Sequence, residues 1–460
     1  MKTSNIILAI PAIILFVKCG ETKEMKTEVA TTKDSVNTNM VHPEWASNAT
    51  IYEVNIRQYT PEGTFKAFEK EIPRLKKMGV KILWLMPIHP IGEKNRKGSE
   101  GSYYSVKDYK AVNPKFGTLD DFKSLVKLAH DSDMKIIIDW VANHSAFDNA
   151  WTKTNPEYYT KDSIGGLMPP AGTDWWDVAD LNYDNKEMRL AMIDAMAYWL
   201  KETNIDGFRC DVAGMVPTDF WDEARVSLDK IKPVFMLAEA EQADLHKKAF
   251  DMTYTWEFMN ICNQIAKGEK SLLAIDEYMD KKSKIFGDDA YRMYFTSNHD
   301  ENSWNGTEYE RLGKYAQTFA VLSATIDGMP LVYSGQESAM NYRLKFFEKD
   351  IIKWNDYPLL DFYSRLLNLN LKNDALQSGK EGGVFDKFAV KGSSKIYAYT
   401  RTKGKNQVLV ILNFSDKEEV VEFNQSLTGE FSNVFGADRN LVTTGNKIIL
   451  KPYGYVVYAK

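Results

Sequence analysis

The sequence predicts an α/β chain: a (β/α)8 TIM barrel with a short insertion after its third strand and a C-terminal antiparallel β-sandwich. Three observations predict it. Between Trp45 and Asn373, short apolar runs alternate with stretches of helical spacing, and eight candidate strands can be marked out. Beyond residue 373 helical spacing ceases and only alternating or continuously apolar runs remain. No G-x-G-x-x-G follows the first strand, which argues against the rival doubly wound open sheet.

The elements follow in chain order. Lys2 precedes an apolar run over 6–17, too short to span a bilayer but of the length of a signal-peptide core. The run ends at Lys18-Cys19-Gly20, which resembles the lipobox of bacterial lipoproteins, although Lys18 stands where a small residue is usual. Residues 1–19 therefore read as a signal peptide with Cys19 as the lipid-bearing residue. Residues 20–44, rich in Lys, Glu and Thr, read as a flexible linker. The strands of the barrel are predicted at 51–56, 80–86, 135–140, 205–211, 234–239, 252–255, 291–296 and 331–333. Helical spacing covers 64–78, with Pro73 inside as a kink, and also 119–132 and 186–202. The barrel thus occupies 45–143 and 181–373, the insertion 144–180, and the sandwich 374–460 with strands at 395–401, 407–413, 418–423, 447–450 and 453–459.

Composition narrows the function classes. The chain of 460 residues is 44% hydrophobic and 26% charged, the proportions of a globular protein. A net charge of −5 gives no electrostatic footprint for nucleic acid. Three cysteines are too few for a disulfide framework, so Cys210 and Cys262 are expected as free thiols. Aromatic residues reach 13%; they fill cores and also make flat platforms for sugar rings.

The chemistry is read at the strand ends, which face the active site in such a barrel. The third strand runs into Asp139-Trp140-Val141-Ala142-Asn143-His144. The fourth ends Gly207-Phe208-Arg209-Cys210-Asp211, the fifth Leu237-Ala238-Glu239, and the seventh Thr296-Ser297-Asn298-His299-Asp300. Arg209 and Asp211 project to the same side of their strand by period two.

This ordered set resembles the four short signatures of the α-amylase family, glycoside hydrolase family 13, in a bacterial lipoprotein-type member. Gly101 to Tyr109, Phe116-Gly117-Thr118, Asp180-Leu181-Asn182 and Gly335-Gln336-Glu337 are similar to further segments of that family. The resemblance covers about Trp45 to Lys460. It implies that Asp211 is the nucleophile, that Glu239 is the general acid and then base, and that Asp300 binds the sugar 2- and 3-hydroxyls. Tyr104 would stack on the ring, and His144 and His299 would donate to sugar hydroxyls. Arg209 would hold Asp211 ionised while the pKa of Glu239 is raised. A retaining mechanism requires the two carboxyls about 5–5.5 Å apart.

Other residues carry blander readings. Glu241 sits near Glu239 but off the strand end. Asp139 is expected to hold Arg209 or local backbone. Asn143 is a calcium ligand in calcium-dependent relatives and here a hydrogen-bonder of the insertion. Tyr52 reads equally as core or site wall, His89 as structural, and Trp175-Trp176 as packing of the insertion rather than a sugar platform. Gly214 and Met215 stand where many calcium-dependent relatives carry Lys and His, so no metal is expected in the chemistry and structural Ca2+ stays open. No cofactor is required. The implied substrate is a starch- or maltodextrin-type α-glucan cut at α-1,4 bonds. Transglycosylation or α-1,6 action on the same triad is the alternative, and a non-catalytic glucan-binding protein the distant one. The expected location is exported, with membrane contact only through the lipid anchor.

Overall fold

The computed structural model describes residues 40–436 and 439–460. The signal segment, Cys19 and residues 20–39 of the expected linker lie outside the described residues. Residues 40–44 depart from the expectation of a flexible linker. His42 Nδ1 lies 2.7 Å from Asp251 Oδ1, its ring stacks on Tyr291 at 4.1 Å, and the Val41 carbonyl accepts from Arg225. A histidine in a polar stretch finds a buried carboxylate at the barrel floor, a contact no local pattern reveals.

Eight parallel strands close the barrel: β1 (Ile51–Val54), β2 (Ile82–Leu85), β3 (Lys135–Trp140), β4 (Gly207–Cys210), β5 (Phe235–Ala238), β6 (Met252–Tyr254), β7 (Tyr291–Tyr294) and β8 (Met329–Tyr333). β1 pairs with both β2 and β8, which completes the ring. Each predicted strand is found. Nearly every strand residue is buried, because side chains alternate between the barrel interior (Ile51, Ile82, Trp84, Ile137, Leu237) and the helix layer outside.

Helix ends follow from their caps. Leu119–Asp131 opens on a capping box between Thr118 and Asp121. Lys186–Thr203 opens on Asn185, whose side chain accepts from Met188, and ends where Asn204 turns left-handed. Two helical expectations need correction. The helix predicted over 64–78 is two helices, Phe65–Glu69 and Ile72–Met78, with Pro73 in the first turn of the second, where its missing N–H costs nothing. Between β5 and β6 there is only the one-turn 3-10 helix Ala243–Lys247, so the alternation is not complete.

After β3 the chain makes the insertion. Its base is a two-stranded antiparallel ribbon, His144–Ala146 with Val178–Asp180, which fixes both ends of the excursion beside the barrel mouth. Past the barrel, six strands form one antiparallel sheet and three form another, with Phe388, Leu409, Ile411, Val421 and Phe431 buried in the sandwich core. The five predicted strands are all present. Four short ones were not foreseen: Val384–Lys387, Val390–Lys391, Glu430–Asn433 and Arg439–Leu441. The sandwich is tied to the barrel by Arg401, whose Nη1 donates to the Ile326 carbonyl at 2.6 Å. Cys210 and Cys262 are buried free thiols. Among the described residues no helix is long and apolar enough to cross a membrane.

Candidate active site

Strand register builds the site. Asp139 on β3 and Arg209 on β4 are directly paired, so both side chains enter the barrel at one level. Gly207 opens β4 at φ +155°, and a Cβ there would lie 1.9 Å from the Phe235 carbonyl oxygen. Only glycine lets β4 and β5 approach closely enough to set Arg209 against Leu237 and Cys210 against Ala238. Asp211 and Glu239 each follow their strand by one residue. Their amides donate to Trp140 and Cys210 carbonyls at 3.0 Å, continuing the ladder and fixing both carboxyls at the mouth.

One guanidinium organises the centre. Arg209 is fully buried; its Nη1 donates to Asp139 Oδ1 at 2.9 Å and to Asp211 Oδ1 at 3.1 Å, and Nε donates to the Tyr254 hydroxyl at 3.1 Å. Nη2 lies 3.0 Å from Glu239 Oε2, an ion-pair distance without hydrogen-bond alignment. Glu239 Oε2 instead accepts the Val212 N–H at 2.8 Å. Val212 reaches it with a left-handed backbone, φ 36°, a strained state for a β-branched residue directly after Asp211.

A second layer runs through Tyr104. Its hydroxyl donates to Asp139 Oδ2 at 3.0 Å and lies 2.7 Å from His299 Nε2; Trp84 Nε1 also donates to Asp139 Oδ2, at 3.2 Å. His299 is held on its other nitrogen by buried Glu53, and Asp300 Oδ2 lies 3.3 Å from Nε2. Burial pushes His299 down, but Asp300 and Glu53 outweigh it and raise it to about 9. His144 has no such partners, and burial lowers it to about 3. Asp139 is pushed up to about 6 by burial, against Arg209 and His299. Asp211 is pushed well up by burial and then by the charge of Glu239, with Arg209 opposing. Arg209 favours the Asp211 carboxylate as expected, but its one guanidinium is shared among three carboxyls.

A cavity of about 530 Å³ opens over this centre, lined by Tyr104, His144, Asp211, Glu239, His299 and Asp300, with Arg209 beneath. All seven sequence-selected residues are thus brought together. A larger groove of about 1210 Å³ runs past Pro90, Lys107, Phe116 and Lys153, but none of the strand-end acids reaches it.

The bland readings divide. Tyr52 is core, its hydroxyl donating to Glu337 at 2.5 Å. His89 is structural, wedged among Tyr109, Trp140 and Trp199. Glu241 turns to Arg292 at 3.2 Å. Asn143 lies 3.2 Å from His144 through its side chain and accepts from Leu181 through its backbone. The packing role given to Trp175-Trp176 does not hold. Trp175 lines the cavity and packs edge-on against His144 at 5.4 Å, and Trp176 is 65% exposed. Sequence reasoning missed Lys97, Asp174, Asp177, Trp304, Phe346 and Phe347, which complete the lining. Trp304, four residues past Asp300, was findable as an aromatic near a strand end; the Phe346-Phe347 pair lies deep in the loop after β8 and carries no such signal. Among the described residues no group of three or more His, Cys, Asp or Glu side chains is arranged to hold a metal ion.

A parallel barrel whose mouth gathers an arginine and three acids under an aromatic-walled cavity defines a glycosidase-type enzyme. The comparisons give the family. Residues 30–165 and 172–375 match the alpha amylase catalytic domain, and residues 387–457 match the maltogenic amylase C-terminal domain. The chain belongs to the α-amylase family of O-glycosyl hydrolases. It is 24% identical to Alpha-amylase 3 of Dictyoglomus thermophilum, over 90% of this chain and 93% of that protein. It is 27% identical to Alpha-amylase MalA of Haloarcula japonica, over 82% of this chain but only 57% of the length of MalA. The crystal structure of a maltogenic α-amylase, AmyB, from Thermotoga neapolitana superposes with a TM-score of 0.80 at 30% identity, covering 90% of this chain and 98% of that one.

Proposed function

We propose that the chain is a retaining glycoside hydrolase that cleaves α-1,4 bonds of starch- or maltodextrin-type glucans. The observation that carries this reading is the single buried guanidinium of Arg209 touching Asp139, Asp211 and Glu239 at the floor of a cavity that also holds Asp300. In the first half-reaction Asp211 attacks the anomeric carbon while Glu239 gives its proton to the departing glycosidic oxygen. In the second, Glu239 takes a proton from water, and the hydroxide displaces Asp211 with net retention. The Arg209 guanidinium opposes the burial of Asp211 and favours its carboxylate, the form that attacks. The positive charge that develops on the sugar in the transition state joins Arg209 in favouring its carboxylate. Tyr104 and the Trp304–Phe346 wall offer ring faces, and His144, neutral through burial, lines the cavity beside them. The chemistry asks for no cofactor. The amylase-named relatives support the substrate class.

The test is incubation with soluble starch and with maltoheptaose. Reducing ends must appear, and the first product must be the α-anomer by proton NMR. No hydrolysis or transfer across a panel of α-glucans would remove the reading, and β-anomeric product would remove retention. The sequence around Cys19 further supports export and lipid anchoring; incorporation of labelled palmitate, abolished in Cys19→Ser, tests it.

A further inference from the structure

We infer that residues 92–101 form a fixed strap closing one end of the cleft, so that the enzyme attacks linear glucans from their non-reducing ends. The inference rests on the glucan-hydrolase reading above and narrows it. The strap leaves β2 and is fastened on both sides. Towards the insertion, Lys97 Nζ pairs with Asp177 at 3.0 Å, Asn95 Nδ2 donates to the Trp176 carbonyl at 3.2 Å, and the Glu93 amide is held by Asp148. Towards the segment after β8, the Glu100 amide donates to the Phe347 carbonyl at 3.0 Å and the Ser99 amide to Glu348 at 3.2 Å. Gly98 lies so close that a Cβ would come 2.5 Å from Phe347 Cβ. Buried Arg57 ties down the far end, donating to both the Gly101 and Phe346 carbonyls. Arg96 folds back onto the Gly92 carbonyl at 2.9 Å and stiffens the strap itself. The two walls so bridged, Asp174–Asp177 and Phe346–Phe347, are walls of the cavity. A glucan lying between them cannot run out without displacing the strap.

The strap's position decides which end is closed. It leads directly into Tyr104, whose ring stacks on Phe346 at 6.1 Å. Tyr104 reaches Arg209 through Asp139, which holds Nη1, whereas Glu239, which protonates the leaving oxygen, lies at Nη2 and against Val212. The sugar retained on Tyr104 therefore faces the closed end, and the leaving chain faces the open one. A ring blocked at its non-reducing terminus has no room where a free terminus fits.

The experiment compares p-nitrophenyl maltoheptaoside with the same compound carrying a 4,6-ethylidene block on its terminal glucose. The protein should cut the blocked compound at least about twentyfold more slowly, as steric exclusion from a built site does. The double variant Asn95→Ala/Glu348→Ala, released from both walls, should narrow that ratio at least about fivefold, with its rate on the unblocked compound reporting that it has folded. Equal cleavage of both compounds by the unaltered protein overturns the inference while leaving the hydrolase reading intact. A ratio unmoved by the double variant overturns the strap as its cause. Cleavage of neither compound overturns the hydrolase reading itself.

Discussion

At the floor of the barrel Arg225 is buried among carboxylates, as Arg209 is at the mouth, yet the two clusters behave oppositely. Arg225 donates to Asp251 at 2.9 Å and to Asp229 at 2.7 Å, and Asp251 also accepts the Met236 N–H and pairs with His42. Burial alone would raise Asp251, but these partners outweigh it and hold the carboxyl below its usual range. At the mouth one guanidinium serves three carboxyls, and Asp139 and Asp211 are driven up. The same residue types stabilise the fold where donors match acceptors and are left reactive where they do not.

The largest effect expected from breaking this contrast is at Asp211. Asp211→Asn should lower kcat by about 10^3-fold or more, as loss of a nucleophile does. Its folded pKa lies above the unfolded one, so the native state binds the extra proton and loses stability as pH rises out of the ordinary carboxylate range. The substitution should therefore leave the thermal midpoint at pH 7 unchanged or higher. A wild-type kcat would break the assignment, and a lower midpoint the electrostatics. Asp251→Asn should do the reverse. It should cost about 3 kcal/mol in denaturant titrations, the size of a broken buried pair, with kcat changed less than about twofold.

A smaller effect is expected at His42, which burial pulls down and Asp251 and Asp289 raise overall. A raised histidine contributes stability that is complete below its unfolded pKa, about 6.5, and is lost as pH rises through the folded value. The midpoint difference between the protein and His42→Gln should thus be largest near pH 5.5 and fade in alkaline buffer. A difference that grows with pH would contradict the pair. Smallest is Trp304→Ala at the half-exposed rim of the cavity, where KM for maltoheptaose should rise about threefold to tenfold with kcat nearly kept, the size of one ring contact.

How much of this was legible in the sequence follows the same divide. The barrel was legible because buried strands are continuous apolar runs, Asp211 and Glu239 because each sits one step past such a run, and Asp300 through the Asn298-His299-Asp300 sequence it closes. Glu53 was not, since it lies inside β1 and only the folded ring sets it against His299. Nor was the state of Asp211, which depends on how many carboxyls share Arg209. Lys97 carries no local signal at all; its role comes from two walls contributed by residues 174–177 and 346–348. The short sandwich strands escaped because they carry too few residues to show a period.

Gly207 has a consequence for how this enzyme would read in a saturation mutagenesis screen. Every missense change there adds a side chain where 1.9 Å separates the first new atom from a backbone oxygen. Position 207 should score as null as uniformly as Asp211 does, although it touches neither solvent nor sugar. A map of intolerant positions would therefore count it among the chemical residues. Measuring soluble yield beside activity for each substitution would separate a site that fails to assemble from one that assembles and cannot react.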